Sequence, residues 1–366
     1  MFTNEDLMLR CIRLARNGKG NVSPNPMVGC VIVKNNSIIG EGYHEKFGDA
    51  HAEVNAIRSA SENVEGADVY VNLEPCDFYG KTPPCTDLLI EKRVRKIFVA
   101  MLDPNPRVNG KGVKKLRDSG IEVEVGLVSQ QAKKLNEAFI KFVARNIPFI
   151  TLKIAQSLDG KIALKSGKSK YITSKESLRK VHQLRAEYDA VIVGAGTIRT
   201  DNPELTVRLV KGKSPVRIVL DGNLSSPIAS KVFTDGKIKT VVVCSSRLER
   251  NSKVARKKID SLRRQRVEVY PLRSGIDGTI SLAAVLKQIA ELGIASVLVE
   301  GGANIFSQFI KLKIADKLHL FIAPKILGRG VSFADEIELK DLSGALRLND
   351  VEISQVGVDH LLTGYF

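Results

Sequence analysis

No apolar run in this sequence approaches the roughly 18 residues needed to span a membrane. Its opening, MFTNEDLMLR, lacks the basic segment and apolar stretch of a secretory signal. A cytoplasmic protein without a membrane partner is therefore expected. Cysteine is scarce. Cys11, Cys30, Cys76, Cys85 and Cys244 are five in 366 residues, an odd number at irregular spacing, which argues against a disulfide framework. Cys11 falls in an apolar helical pattern and Cys30 in the strand-like VGCVIV, and with Cys244 they read as buried small hydrophobes. Internal repeats are absent, and so is low complexity beyond one basic run.

What is present points to two domains, because 366 residues is long for one and 43% hydrophobic content can supply a core to each half. The net charge of +16 is uneven: residues 1–150 carry 21 Lys and Arg against 18 Asp and Glu, and residues 151–366 carry 35 against 22. Much of the excess lies in SSRLERNSKVARKKIDSLRRQRVEVYPLR, residues 245–273. Such a run could hold nucleic acid or phosphorylated ligands. With Tyr270 its only aromatic it offers no platform for stacking bases, and a solvated helix face with no nucleic-acid partner is expected.

Period and punctuation give the layout. NEDLMLRCIRLARNG is an amphipathic helix ended by Gly18, and a hairpin turns at Asn35-Asn36. A helix from about His51 and the strand DVYVNL follow, then helices near 85–92, 111–119 and 130–145 around the strands KIFVAM and IEVEVG. Pro148 interrupts the helical pattern. Beyond it strands and helices alternate again from FITLKIAQ to LRLNDVEISQVG. Two α/β domains are expected, 1–146 and 147–366.

In AHAEV, His51 and Glu53 stand two apart at a helix start, where side chains of a helix interior would diverge. The pair makes sense in the first turn, with His51 reaching out from the end. Partners lie in NLEPCDFYGKTPPCTDLL, where Cys76 follows a strand and Cys85 opens a helix. One imidazole and two thiolates are three tetrahedral zinc ligands that leave a fourth position to water. Bound zinc brings the pKa of water to about 7, which makes hydroxide available at neutral pH. Glu53 is then suited to carry a proton to departing ammonia. His-x-Glu followed by Pro-Cys and a second Cys is the order found in zinc deaminases. Here eight residues, DFYGKTPP, separate the cysteines in place of two. Lys81 within them suits an anionic substrate.

In the second half SVLVEGGANIF reads as a buried strand, then Glu300, then Gly301-Gly302 opening a helix. A helix N-terminus behind glycines presents free N–H groups to a phosphate. DAVIVGAGTIRTDNPELTVR supplies a second strand followed by Gly194, Gly196 and Thr197, without the third glycine of the dinucleotide fingerprint. Two such turns in one basic domain favour a nucleotide cofactor.

Taken together, SPNPMVGCVIV, AHAE, EPC through TPPC, LKIAQSLDGKIA, VGAGTIRTDNPELTVR, VEGGANIF and APKILG make the chain resemble the bifunctional deaminase/reductase family of riboflavin biosynthesis. The resemblance implies a cytidine-deaminase-like three-layer domain followed by a dihydrofolate-reductase-like α/β domain. It implies one Zn2+ per chain, NADPH, phosphorylated pyrimidine substrates and a homo-oligomer. The first domain would deaminate 2,5-diamino-6-(5-phosphoribosylamino)pyrimidin-4(3H)-one, and the second would reduce its ribosyl group to ribityl. Carried over by position, the zinc ligands are His51, Cys76 and Cys85, and the proton shuttle is Glu53. Lys153 and Asp201 fall near hydride transfer. Cofactor positions are Ala155, Tyr171, Thr197, Asp201, Gly301, Gly302, Ala303 and Asn304. Substrate positions are Asn25, Lys81, Ser169, Arg185, Leu205, Arg208 and Glu300, whose two arginines suit a sugar phosphate. Where the family reads Pro-Cys-Ser-His, this sequence has Pro75-Cys76-Asp77-Phe78. Rival readings are a reductase with a scaffold deaminase half, a tRNA or nucleoside deaminase with an appended domain, and a nucleic-acid-binding module.

Overall fold

The computed structural model describes residues 2–80, 83–106, 108–275 and 279–366. The chain forms two compact units, Met1–Ile147 and Pro148–Phe366.

Unit 1 runs α1 (Asn4–Ala15), β1 (Gly29–Lys34), β2 (Ser37–Tyr43), α2 (Ala52–Arg58), β3 (Asp68–Val71), α3 (Cys85–Glu91) and β4 (Lys96–Val99). It ends with α4 (Lys111–Asp118), β5 (Glu122–Val125), α5 (Ser129–Leu135) and α6 (Glu137–Arg145). Thr3 and Asp6 close a reciprocal capping box on α1. Asn35 and Asn36, at φ 49° and 61°, make the turn between β1 and β2, where asparagine tolerates left-handed backbone better than most residues. The sheet order is β2-β1-β3-β4-β5, with β3, β4 and β5 parallel. Strand alternation fills two cores. Cys30, Ile32, Val69, Val71, Ile97 and Val99 meet α2, α3 and α4 on one face. Val31, Tyr70 and Phe98 meet Leu7, Met8, Cys11 and Ile12 of α1 on the other. The result is three layers.

One expected helix is two. The run 130–145 breaks at Asn136, whose side chain accepts from Met27 N at 2.8 Å and donates to Met27 O at 2.9 Å. A buried amide that pairs with both backbone groups of one distant residue holds its position against the regular helix.

Unit 2 runs β6 (Phe149–Ser157), β7 (Ala163–Leu164), α7 (Lys175–Glu187), β8 (Ala190–Gly194), α8 (Ala195–Asp201), β9 (Val216–Leu220), α9 (Lys231–Thr234) and β10 (Thr240–Ser245). Next come α10 (Ser246–Asn251), α11 (Lys253–Arg264), β11 (Glu268–Leu272), α12 (Leu282–Glu291), β12 (Ser296–Gly301) and α13 (Ala303–Lys311). It closes with β13 (Lys317–Ala323), β14 (Gly330–Val331), β15 (Asn349–Val356) and β16 (Asp359–Tyr365). The main sheet has nine strands in the order β11-β10-β9-β8-β12-β6-β13-β16-β15. Ile150, Leu152, Ile192 and Ile218 face α12 and α13, while Val191, Val193, Val219 and Val242 face α8, α9 and α11. The second unit is thus also layered helix, sheet, helix.

The basic run forms α10, α11 and β11. Ala255, Ile259 and Leu262 anchor α11 in the core, and Arg256, Lys257, Arg263 and Arg264 are exposed, the solvated face expected from its sequence. Cys11, Cys30 and Cys244 are buried, also as expected. Among the described residues no helix is long and apolar enough to cross a membrane.

Candidate active sites

In unit 1 the chemistry gathers at the carboxyl ends of the parallel strands, where open α/β sheets place their ligands. His51 is the N-cap of α2, in extended backbone, so its imidazole projects from the helix end while Glu53 turns inward. Cys76 follows β3 and Cys85 is the first residue of α3. His51 Nδ1 lies 3.3 Å from Cys85 Sγ and 3.5 Å from Cys76 Sγ, and Cys85 N donates to Cys76 Sγ at 3.4 Å. The three ligand atoms all lie within 4.8 Å of one another. Hydrogen bonds from Cys85 favour the Cys76 thiolate, and the neighbouring His51 adds to this, so its pKa falls to about 5. A soft, convergent His-Cys-Cys set fits zinc.

Glu53 is 3% exposed. Burial raises its pKa, as does the charge of Cys76, so its carboxyl can hold a proton more readily than one at the surface. Its cavity, of about 260 Å³, is also lined by Asn25, His44, Phe47, Phe78, Asp103, Asn105 and Phe139. His44 is a buried wall of this cavity: Nδ1 faces Ala50 O at 3.0 Å and Nε2 faces Asn25 Nδ2 at 3.2 Å. Asn25 lines the same cavity. Lys81 lies outside the described residues.

Two acids here escaped the sequence reading. Glu74 accepts from Asp103 N, Gly110 N and Val113 N at 2.9–3.1 Å and ties the segment after β4 to the site. Asp103 lines the cavity, and burial pushes its pKa up to about 6. The available signal was an acid in each of the two loops that follow adjacent parallel strands. Phe78 lines the cavity and is 48% exposed. Asp77 keeps one buried carboxylate oxygen without a hydrogen-bond partner.

In unit 2 the two glycine turns meet. A Cβ on Gly301 would stand 2.7 Å from Thr197 Oγ1, and one on Gly194 would stand 2.9 Å from Ile305 Cγ1. Glycine is needed there for close approach. Gly302 has φ 87° and caps α13, and Ala303 and Asn304 form the first turn of that helix. Gly-Ala-Gly-Thr itself runs into the short helix α8.

Glu300 owes its aim to a bulge. Val299 pairs with Ile192 and Gly301 with Val193, so Glu300 is the extra residue of β12 against β8. Its carboxylate takes a bidentate pair from Arg185, Nε at 2.5 Å and Nη2 at 2.8 Å, with Lys153 Nζ at 3.8 Å. Arg185 also donates to Thr206 O at 3.2 Å. The guanidinium expected to face a sugar phosphate is thus committed to Glu300, and the more exposed arginine of this group is Arg208. Burial pushes Glu300 up, but the charge and hydrogen bonds of Arg185, with the charge of Lys153, outweigh it and hold the carboxyl at about 2. Burial lowers the pKa of Lys153.

The other carried-over positions fall into small groups. Ser169 Oγ lies 3.0 and 3.2 Å from the two carboxylate oxygens of Asp201, at the end of α8. Tyr171 is 85% exposed at φ 67°, and its carbonyl accepts from Lys325 Nζ at 2.8 Å. Leu205 is buried at φ 55°, and Arg208 N donates to the buried His182 Nδ1 at 3.1 Å. Ala155 is partly buried in β6, beside Phe321 of β13.

Comparison with known proteins finds a match for each half of the chain. Residues 1–101 match the family model "cytidine and deoxycytidylate deaminase zinc-binding region", and residues 148–362 match "RibD C-terminal domain". The riboflavin biosynthesis protein RibD of Aquifex aeolicus is 42% identical over 97% of this chain and 96% of its own. The chain belongs to the RibD family. The RibD of Escherichia coli K12 is 36% identical over 97% of each chain. Among solved structures, a diaminohydroxyphosphoribosylaminopyrimidine deaminase/5-amino-6-(5-phosphoribosylamino)uracil reductase from Thermotoga maritima has a TM-score of 0.85 at 41% identity, covering 99% of this chain and 98% of its own. Acinetobacter baumannii RibD has a TM-score of 0.88 at 35% identity with the same coverage. As a RibD-family member the chain carries a zinc-dependent deaminase and an NADPH-dependent reductase of riboflavin biosynthesis.

Proposed function

We propose that residues 1–146 deaminate 2,5-diamino-6-(5-phosphoribosylamino)pyrimidin-4(3H)-one and that residues 147–366 then reduce the ribosyl group of the product to ribityl phosphate. The observation that carries the reading is the convergence of His51, Cys76 and Cys85 beside the buried Glu53 in one cavity. Those three residues would hold the zinc, which supplies a Lewis acid that makes water nucleophilic at neutral pH. Glu53 takes the proton that the attacking water gives up and hands it to the leaving amino group. At the ring carbon a C–O bond forms, the C–N bond breaks, and ammonia leaves. Asn25 and His44 position the ring, and Phe78 offers it an aromatic face.

In the second half, the turn Gly301, Gly302, Ala303, Asn304 with Thr197 would cradle the pyrophosphate of NADPH through free N–H groups of α13. The cofactor, when bound, supplies the hydride. Ala155, Tyr171 and Asp201 complete its bed, while Lys153 and Asp201 stand as the groups able to hold or move a proton. Ser169, Leu205 and Arg208 bind the phosphorylated sugar, with the Arg185–Glu300 pair as the wall that orients it. A homo-oligomer is part of this reading.

The test follows NADPH oxidation and ammonia release by the zinc-loaded protein, with the aminated and the deaminated pyrimidine in parallel. Both substrates should drive oxidation, and only the aminated one should release ammonia. Oxidation with the deaminated substrate alone would support the second reading, a reductase with a scaffold first half, which Asp77 and Phe78 favour by their departure from the family pattern.

A further inference from the structure

A cavity of about 280 Å³ opens beyond β8 and β9, bounded by Arg199 of α8, by Asp221, Asn223 and Ser225 after β9, and by Asn304 and Gln308 of α13. It sits where an open parallel sheet receives ligands. β12 lies between β8 and β6, so the chain runs away in opposite directions on either side of the β8–β12 pair. Asn304 belongs both to this cavity and to the turn proposed above for the pyrophosphate. A nucleotide entering that turn can therefore extend its adenosine half into the cavity, and this step rests on the proposed function.

What the cavity offers such a nucleotide is decided by two side chains. In Rossmann dinucleotide-binding sheets an acid near the end of a neighbouring strand receives the ribose 2′-hydroxyl of NADH, whereas an arginine accommodates a 2′-phosphate, and the same chemistry applies to any pocket that meets this ribose. Asp221 directly follows β9, but it is 2% exposed and both its oxygens are taken. Oδ1 accepts from Ser225 N at 2.7 Å and from Ser225 Oγ at 3.0 Å, and Oδ2 accepts from Ser226 N at 2.7 Å. The carboxylate that could have read a 2′-hydroxyl instead folds its own loop. Arg199 is the one cation among the described residues lining the cavity. Its Nη1 donates to Ser225 Oγ. The Ser225 hydroxyl thus accepts from Arg199 while it donates to Asp221, and a buried carboxylate fixes the direction of the guanidinium through one intervening hydroxyl. That bond uses one of five donors in the guanidinium fork, which leaves others for a phosphate.

We propose that Arg199, braced by Ser225, reads the 2′-phosphate of NADPH and so makes this reductase prefer NADPH to NADH. The residue is then a specificity determinant, acting at a distance from the atoms that react.

The experiment is direct binding to the full-length protein, followed by the nucleotide's own fluorescence for NADPH and NADH. Calorimetry with adenosine 2′,5′-bisphosphate and 5′-AMP isolates the adenosine half. The wild-type protein should bind NADPH and the bisphosphate more tightly than their partners. Arg199→Ser should weaken NADPH about 10- to 100-fold, the range for losing a hydrogen bond to a charged group, and leave NADH unchanged. Arg199→Lys should recover part of the loss, since ammonium keeps the charge without the fork. An Arg199→Ser variant that keeps the wild-type preference overturns the proposal. So does one that loses both nucleotides equally, because Arg199 would then only shape the pocket. A wild-type protein that binds both alike refutes this inference alone, whereas one that binds neither refutes the cofactor reading on which it rests.

Discussion

Replacing Glu300 by Gln should destabilise the second unit by about 3 kcal/mol. The side chains of Glu300, Arg185 and Lys153 are only 5%, 10% and 14% exposed, so little solvent is available to replace the lost charge. The carboxyl sits at about 2 against an ordinary 4.5, and at 1.36 kcal/mol per pKa unit that difference is about 3 kcal/mol. Removing one partner of a buried pair costs about 3–5 kcal/mol on independent grounds. Lys153 can relieve its share by shedding a proton, whereas Arg185 cannot, so the loss should fall mainly on Arg185. Hydrogen exchange in the full-length protein reads this locally, and amides of β12 and α7 should exchange about 100-fold faster in the variant. The pH dependence has a fixed sign. Because the folded pKa lies below the unfolded one, the stabilisation is whole above about 4.5 and drains away as pH falls toward about 2. The gap between wild type and variant should close across that window. The double variant Arg185→Leu with Glu300→Leu should cost much less than the two single losses together. A single-variant cost below about 1 kcal/mol, or a gap indifferent to pH, would show that this pair is solvated and the argument unsound.

Further outcomes follow from the same geometry. Glu53→Gln should abolish ammonia release while zinc stays near one per chain by elemental analysis, whereas Cys85→Ser should lower the metal content. Gly302→Val should weaken NADPH binding at least about tenfold by titration, because φ 87° strains a branched residue and its side chain would crowd a phosphate at the helix entrance. Residues 147–366, expressed alone, should fold and reduce the deaminated pyrimidine; a folded fragment that binds no NADPH would sink the assignment of the cofactor to this half. Full-length, zinc-loaded protein should deaminate despite Asp77 and Phe78, since stacking on an aromatic is worth roughly 1–3 kcal/mol and a lost neutral hydrogen bond about as much. If it does not, and Asp77→Ser with Phe78→His switches it on, the first half is a scaffold.

Much of this architecture was legible because it is written in local chemistry. Asn35-Asn36 announces its hairpin, and His51 and Glu53 make sense only across a helix start. The apolar strands of both units declare themselves by composition. Less visible were features that depend on distant partners. The break at Asn136 exists because Met27, more than a hundred positions earlier, offers its backbone N–H and C=O. The bulge at Glu300 is a matter of register between β12 and β8, and two expected substrate positions, Arg185 and Glu300, prove to be bound to each other. β16, with the sequence DHLLTGY, has too mixed a pattern to stand out, yet it pairs with both β13 and β15. Asp103 lies in a loop, and only the pairing of β3 with β4 brings that loop to the cavity.

The strand order of the second unit also governs how the protein is made. β6 opens that unit and becomes an interior strand of its sheet, flanked by β12 and β13. Its last residue, Ser157, is separated from the first residue of β12, Ser296, by 139 positions. At about 5–20 residues per second a ribosome needs roughly 7–28 s to cover that distance. The strands of the first unit, by contrast, all lie between residues 29 and 125, so its sheet can close while the second is still being translated. During the wait FITLKIAQS is an apolar strand with two unsatisfied edges, the kind of segment that seeks pairing with other chains. Expression conditions and chaperone supply should therefore matter to the reductase half more than to the deaminase half.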